Sequence, residues 1–332
     1  MAGSSERPGP EFRDLKKGIT RTKEFEKKGL AQYAGNVGTR CGHQCTYCST
    51  PSLMRMHRSF KDAGKSPFAE GYALVDPDTP DRVRREAQRL RDRGLIHLCT
   101  ITDAWAPEAQ TLHLGRRCLE AILSEPLWTV RILTKNAAVV KDFDVIEKYK
   151  DRVLVGLSIT GTPDQEEVLK AIEPYASPIR ERMGALHEAH ARGLRTYGML
   201  CPILPGIADS SEQIDELVRF ACECGAEEIF AEAVNPRGRG LILTQKALAE
   251  HGYYQQAHAV GAVRNRAQWS RYVVDLIQRL QGSVRRFYDL NKLRFLLYPS
   301  GLTPEDLAQV RQDDAGIVWL GKSTPAMRRH ER

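Results

Sequence analysis

The sequence contains no apolar run long enough to span a bilayer. Its opening stretch, Met1 to Phe12, is polar and rich in Gly and Pro, with none of the apolar character a secretion signal needs, and it reads as a tail. No segment repeats at a solenoid period and none is of low complexity. These absences make a cytoplasmic protein the expectation, in a reducing compartment and with no membrane partner. The eight cysteines are then expected as thiols or metal ligands, not as a disulfide framework. The formal net charge of +7 is spread along 332 residues. Arg82, Arg84, Arg85, Arg89, Arg91 and Arg93 fall together in one expected helix, so the charge alone does not name a polyanionic partner.

What is present is a rhythm of short apolar runs and amphipathic helices. Strands are expected at Gln32 to Val37, Leu95 to Ile101, Thr129 to Leu133, Val153 to Ile159, Thr196 to Cys201 and Glu228 to Val234. Between them, helices are expected at Asp76 to Arg93 (capped by Thr79, with Pro80 first), Glu108 to Leu123, Phe143 to Tyr149, Ile179 to Arg192 and Ser211 to Cys224. Continuous apolar strands alternating with helices imply a parallel sheet covered on its outer face. Six such units give an α/β fold, a partial (β/α)6 barrel of the TIM type, expected over 31–239 after a tail and basic lead-in over 1–30. Beyond it, 240–332 read as a C-terminal α/β extension, with helices at Trp269 to Leu280 and Pro304 to Gln312 and apolar runs at Leu293 to Tyr298 and Ile317 to Leu320. Pro51 to Val75 reads as an irregular, basic insertion.

The segment Cys41-Gly42-His43-Gln44-Cys45-Thr46-Tyr47-Cys48 carries the functional reading. Its spacing puts three thiolates on one short loop. Three ligands leave one iron of a [4Fe–4S] cluster open to an outside ligand, and the amino and carboxylate groups of S-adenosylmethionine (SAM) can supply it. A structural zinc site wants four ligands, commonly as two C-x2-C pairs. His43 lies between two cysteines, where it could hardly reach the same ion.

This loop, together with Thr102-Asp103-Ala104-Trp105-Ala106-Pro107, Thr134-Lys135, Gly156-Leu157-Ser158-Ile159-Thr160, Glu173-Pro174 and Pro202-Ile203-Leu204-Pro205-Gly206, resembles the spore photoproduct lyase-like branch of the radical SAM superfamily. The resemblance runs from about Tyr33 to Val234 and implies a [4Fe–4S] cluster on Cys41, Cys45 and Cys48. It implies that Tyr47 lies against the SAM adenine and that Asp103, Lys135 and Ser158 hold SAM. Thr102, Thr160 and Glu232 join them as candidates, since working residues of parallel barrels stand at the carboxyl ends of the strands. Cys99 and Cys201 are the candidate hydrogen donors. The lyase carries its donor in Cys-Thr-Ser-Asp order, whereas Cys99-Thr100-Ile101-Thr102-Asp103 places the thiol one residue too early. A one-residue slip turns a strand side chain to the other face unless a bulge restores it, so the Cys99 thiol is expected to face away from the site and an authentic lyase is not expected. Cys118 reads as a core residue.

The expected function is reductive SAM cleavage that starts radical chemistry on a nucleobase or nucleic acid, with an electron donor such as flavodoxin or ferredoxin as partner. The alternatives are the same chemistry on a peptide or small metabolite and, more remotely, a non-catalytic iron–sulfur nucleic-acid-binding protein. Arg237 to Gly240 and Pro51 to Arg58 are candidate phosphate contacts.

Overall fold

Parallel strands need a crossover between them, and the helices of this sequence supply it. The computed structural model describes residues 9–236 and 238–321; Arg237, a candidate phosphate contact, lies outside them. Five strands come from the first part of the chain: β1 (Gly9–Phe12), β2 (Ile19–Arg21), β3 (Tyr33–Gly35), β4 (Gly38–Arg40) and β5 (Tyr72–Val75). The main sequence of strands continues with β6 (Leu95–Leu98), β7 (Thr129–Thr134), β8 (Val153–Leu157), β9 (Arg195–Thr196), β10 (Gly198–Ile203) and β11 (Ile229–Ala233). The C-terminal part adds β12 (Leu293–Leu297) and β13 (Ile317–Trp319).

One sheet runs β2-β3-β6-β7-β8-β9, with only β2 antiparallel, and a second, all parallel, runs β10-β11-β12-β13. Only Tyr197 separates β9 from β10, and a bridge from Ser158 to Met199 carries β8 onto β10, so the two sheets form one curved wall. The six expected barrel strands are present as β3, β6, β7, β8, β9 with β10, and β11. The C-terminal extension lengthens the same wall with β12 and β13. No pairing joins β13 back to β2 or β3 among the described residues, so the barrel is partial. No helix among the described residues is long and apolar enough to cross a membrane.

The outer face of the wall packs under the helices in a continuous apolar core that includes Ile96, Val130, Ile132, Val155, Leu186, Leu217 and Cys118. Inside the wall lies a smaller cluster of Leu154, Tyr197, Met199, Phe230, Leu296 and Leu320, into which Leu30 and Phe25 reach from the lead-in. Polar groups also enter the interior. The Arg131 guanidinium lies 4.8 Å from the Tyr197 ring and 5.0 Å from that of Phe230, and pairs with Glu228 at 3.1 Å.

Several expected boundaries shift. Thr79 is the first residue of its helix, with Asp78 in the capping position, and that helix ends at Arg89 rather than Arg93. Glu108 to Leu123 is not one helix: His113, at φ 50°, separates Pro107–Thr111 from Leu114–Leu123. Gly9–Phe12 is not a tail but a strand that pairs in parallel with β5, while β4 pairs with β5 on its other side. The expected irregular insertion contains helices Thr50–Leu53 and Arg58–Asp62 as well as β5. Elements of four or five residues are too short for an apolar period to register; their partners, distant in sequence, define them. In the extension, helices Gly240–Glu250 and Tyr254–Ala262 precede a long helix, Arg266–Phe287, which includes the expected Trp269 to Leu280.

Candidate functional site

Strand β4 delivers the chain into the cysteine loop, and the loop is fastened from several sides. The Gly42 amide donates to Glu108 Oε1 at 2.9 Å, and a Cβ on Gly42 would lie 2.2 Å from Glu108 Oε2, so a side chain there would have to shift the carboxylate that holds the loop. Gln44 Nε2 donates to the Tyr72 carbonyl at 3.2 Å, and the Thr46 amide to the Ile172 carbonyl at 2.9 Å. The Tyr47 hydroxyl bonds to Glu173. Behind Tyr47, Gly240 comes so close that a Cβ would lie 2.7 Å from the Tyr47 carbonyl.

His43 turns away from the thiols. Its Nε2 meets Asp103 Oδ2 at 2.8 Å and its Nδ1 meets the Tyr175 carbonyl at 3.0 Å. Burial alone would lower the His43 pKa, but the Asp103 carboxylate outweighs it and raises it. Asp103 also accepts from the Trp105 amide at 2.8 Å, the Thr134 hydroxyl at 2.9 Å and the Lys135 amide at 2.9 Å. Both its oxygens therefore serve protein donors, and it ties the cysteine loop to the ends of β6 and β7.

The three cysteines are partly exposed. Burial, then the carboxylates of Glu108 and Asp103, push the Cys41 thiol well up; burial, then Glu173, push Cys45 up to about 12. A free thiol here stays protonated, and a bound metal centre would draw the proton off. The three sulfurs do not all lie within 4.8 Å of one another; among the described residues only Asp14, Asp76 and Asp78 form such a close donor set. At least one pair is thus wider than a single tetrahedral zinc with Zn–S bonds of about 2.3 Å would hold. A cluster that presents a separate iron to each thiolate accommodates the wider spacing.

Beside the loop, Glu173 gathers a buried charge network. Lys135 Nζ donates to Glu173 Oε1 at 2.9 Å and to Ser158 Oγ at 2.8 Å; Ser158 in turn donates to the Cys201 carbonyl at 2.7 Å. Thr160 Oγ1 donates to Glu173 at 2.8 Å, and Arg182 Nη2 reaches Glu173 Oε2 at 2.5 Å. Burial would raise the Glu173 pKa, but Arg182 and Lys135 hold it well below the usual carboxylate range. The sequence marks Glu173 only through its Glu173-Pro174 motif, with no role given to it, and does not mark Arg182 at all. The available signal was a charged residue, Arg182, on the same helix face as Ile179, Ala185, Leu186 and Ala189, where a cation needs a buried partner.

A cavity of about 350 Å³ opens over these groups. Its walls include Cys41, Cys45, Cys48 and Tyr47 from the loop, with Thr102, Asp103, Lys135 and Ser158 from the strand ends. Cys99 and Cys201 also reach it; Cys99 is not turned away as strand alternation predicts, because the strand ends at Leu98 and the chain leaves extended geometry at Cys99. They differ in setting: Cys99, at φ 68°, packs with the outer core, whereas Cys201 borders the interior cluster. Burial above all pushes both thiols up to about 12. Thr160 and Glu232 are outside the cavity wall. Thr160 touches the site through Glu173, and Glu232 Oε2 through the Cys201 thiol at 3.8 Å, with Lys28 Nζ 3.5 Å from the same oxygen. Lys28, from the lead-in, gave no sequence signal.

The Radical SAM superfamily model matches residues 36–221. Among curated proteins, an uncharacterized protein, ORF301, of Acidianus two-tailed virus is 25% identical over 225 residues, covering 66% of this chain and 72% of its own length. The uncharacterized protein MJ0683 of Methanocaldococcus jannaschii is 25% identical over 190 residues, 57% of this chain and 67% of its own. Among solved structures, a point mutant of spore photoproduct lyase aligns with a TM-score of 0.58 at 14% identity, over 83% of this chain and 78% of that one. A double mutant of the same lyase with bound AdoMet and dinucleoside spore photoproduct aligns with a TM-score of 0.55 at 14% identity, over 81% and 76%. The fold of this chain is therefore that of spore photoproduct lyase.

Proposed function

The chain belongs to the radical SAM superfamily, and on that premise we propose that it cleaves SAM reductively at a [4Fe–4S] cluster on Cys41, Cys45 and Cys48 and acts on a nucleobase or nucleic acid. The cluster and SAM, when bound, supply the 5′-deoxyadenosyl radical; the protein supplies binding, orientation and exclusion of water. The observation that carries this reading is the placement of three partly exposed thiols, on a loop fastened from several elements, in the wall of one cavity with Lys135 and Ser158.

The residues divide the work. His43 and Asp103 fix the loop from beneath. Lys135 is the cation suited to the SAM carboxylate, and Ser158, already bonded to its ammonium, adds a hydroxyl at the same end. Tyr47 lies under Lys135, whose Nζ is 5.5 Å from the ring, and offers an aromatic surface for the adenine. Thr102 and Thr160 serve the same SAM side, Thr160 through Glu173. Cys201 and Cys99 are the candidate hydrogen donors, with Glu232 behind Cys201. Arg239 is exposed and stands near the cavity, its guanidinium 5.1 Å from Phe68 and its amide 3.4 Å from Ser52 Oγ, as a phosphate contact would. The division at residues 31–239 and 240–332 stands as part of this proposal, with the second part covering the cavity through Gly240, Leu243 and Ala247.

Anaerobically reconstituted protein is expected to be brown, with about four irons per chain, and to release 5′-deoxyadenosine from SAM under a chemical reductant. The Cys41→Ala, Cys45→Ala, Cys48→Ala triple variant is expected to lose both. Iron retained in that variant, or zinc held by the native chain, would refute the reading. In the same assay, deuterium passing from a labelled oligonucleotide into 5′-deoxyadenosine identifies the nucleic-acid substrate. Transfer from a labelled peptide or metabolite instead moves the substrate to that class.

A further inference from the structure

Residues 50–75 form a small lobe on the sheet β1-β5-β4, with its own apolar cluster of Phe60, Tyr72 and Leu74. Arg40, the last residue of β4 and the neighbour of Cys41, joins this lobe to the cysteine loop. Its Nη2 donates to the Ala69 carbonyl at 2.5 Å, its Nε to the Tyr72 carbonyl at 3.3 Å and its Nη1 to the Pro67 carbonyl. The guanidinium also rests on the Tyr72 ring, 4.8 Å from its centre. The lobe thus holds this side chain in one place, in the same cavity wall as Cys41 and Cys48.

None of these acceptors carries a charge. Among the described residues the buried arginines are Arg40, Arg131 and Arg182. Arg131 pairs with Glu228 and Arg182 with Glu173, whereas Arg40 has no carboxylate partner among the described residues. The carboxylates that border the loop are engaged elsewhere: Asp103 with His43, Glu173 with Lys135 and Arg182, Glu108 with the Gly42 amide. A charge taken out of water is costly unless an opposite charge answers it.

Few groups can supply that answer. Burial lowers the Arg40 pKa, and Tyr72, Cys48, Cys41 and Glu70, as anions, would raise it again. Burial pushes the Tyr72 phenol up, so it stays neutral. Glu70 is exposed, where solvent screens its charge. The sulfurs of Cys48 and Cys41 remain. With three thiolates a [4Fe–4S] cluster is anionic, and an added electron makes it more so. A fixed cation beside it stabilises the reduced state more than the oxidised one and raises the reduction potential. Lys135, on the other side of the loop, already has Glu173 as its counter-ion.

We infer that the Arg40 guanidinium is the buried counter-charge of the cluster on Cys41, Cys45 and Cys48 and raises its reduction potential. This rests on the cluster assignment proposed above. Arg40 is not a ligand: its donors are spent on the lobe, and it acts through its charge. The guanidinium keeps its proton throughout; the cluster gains one electron from a chemical reductant, and no bond breaks.

The test is a redox titration of the reconstituted protein with dithionite, without SAM, followed by absorbance and electron paramagnetic resonance. In Arg40→Gln the ratio of reduced to oxidised cluster at a given potential is expected to fall about tenfold, a midpoint about 59 mV lower for one electron. Arg40→Lys keeps the charge but loses the fork that grips the three carbonyls, and its midpoint is expected to stay near that of the wild type. Iron lost from Arg40→Gln but held in full by Arg40→Lys also supports the inference, because the charge and not the fork then retains the anionic cluster. Equal midpoints in the two variants, equal loss of iron from both, or a midpoint in Arg40→Gln at or above that of the wild type would overturn it and leave Arg40 a bolt for the lobe. Failure of the cluster reading shows separately, as absence of iron and of 5′-deoxyadenosine from the dithionite-reduced wild type.

Discussion

At the scale of the residue, Lys135 has two ties before any cofactor arrives. Its ammonium holds Ser158 and Glu173, and Glu173 keeps a second cation, Arg182, on its other oxygen. Lys135→Ala therefore leaves the buried carboxylate paired, and the loop ligands untouched. The variant is expected to retain its iron and to bind SAM more weakly by about 1.5–3 kcal/mol, one charge-assisted contact. Calorimetric titration of SAM into the reconstituted variant measures this. Unchanged affinity would remove Lys135 from the SAM side and leave it as a strut for Glu173.

At the scale of the element, the run Gly156-Leu157-Ser158 shows how one strand serves both packing and site. Ser158 stands at the cavity, but Gly156 serves the barrel: a Cβ there would lie 2.4 Å from the Tyr197 ring. Tyr197 fills the interior beside β8, and its hydroxyl donates to the Ile132 carbonyl of β7 at 2.8 Å. A larger residue at 156 must displace a ring that spans three strands. Gly156→Val is expected to destabilise the fold by about 1–3 kcal/mol, the usual cost of overpacking a core, read as a lower urea midpoint at unchanged iron content per folded chain. A midpoint equal to wild type would show that Tyr197 has another place to go.

At the scale of the whole molecule, the barrel interior makes stability depend on pH. His97 is buried on β6; burial first, and the neighbouring Arg131 second, lower its pKa from 6.5 to about 3. Between these values the unfolded chain binds a proton that the folded chain refuses. Stability is therefore full above about 6.5 and falls as the pH drops toward about 3, by at most about 1.4 kcal/mol per pH unit for this one group. Urea unfolding of the wild type and of His97→Gln across that window measures it. The variant is expected to show the shallower pH dependence. Equal slopes would place the titration in other groups.

The cysteine loop, the alternation of strand and helix, and the strand ends at which Asp103, Lys135 and Ser158 stand were all legible in the order of residues along the chain. These features are local: ligand spacing lies within one loop, and apolar period within one element. Folding in three dimensions was needed to bring Asp103 to His43 across 60 residues of sequence, to set Glu173 against both Lys135 and Arg182, and to carry Lys28 into the interior beside Glu232. It also decided that Gly9–Phe12 is a strand and that the basic insertion is a folded lobe. The reason is physical. A buried charge or a four-residue strand is stable only against its partner, and the identity of a partner distant in sequence is set by the fold.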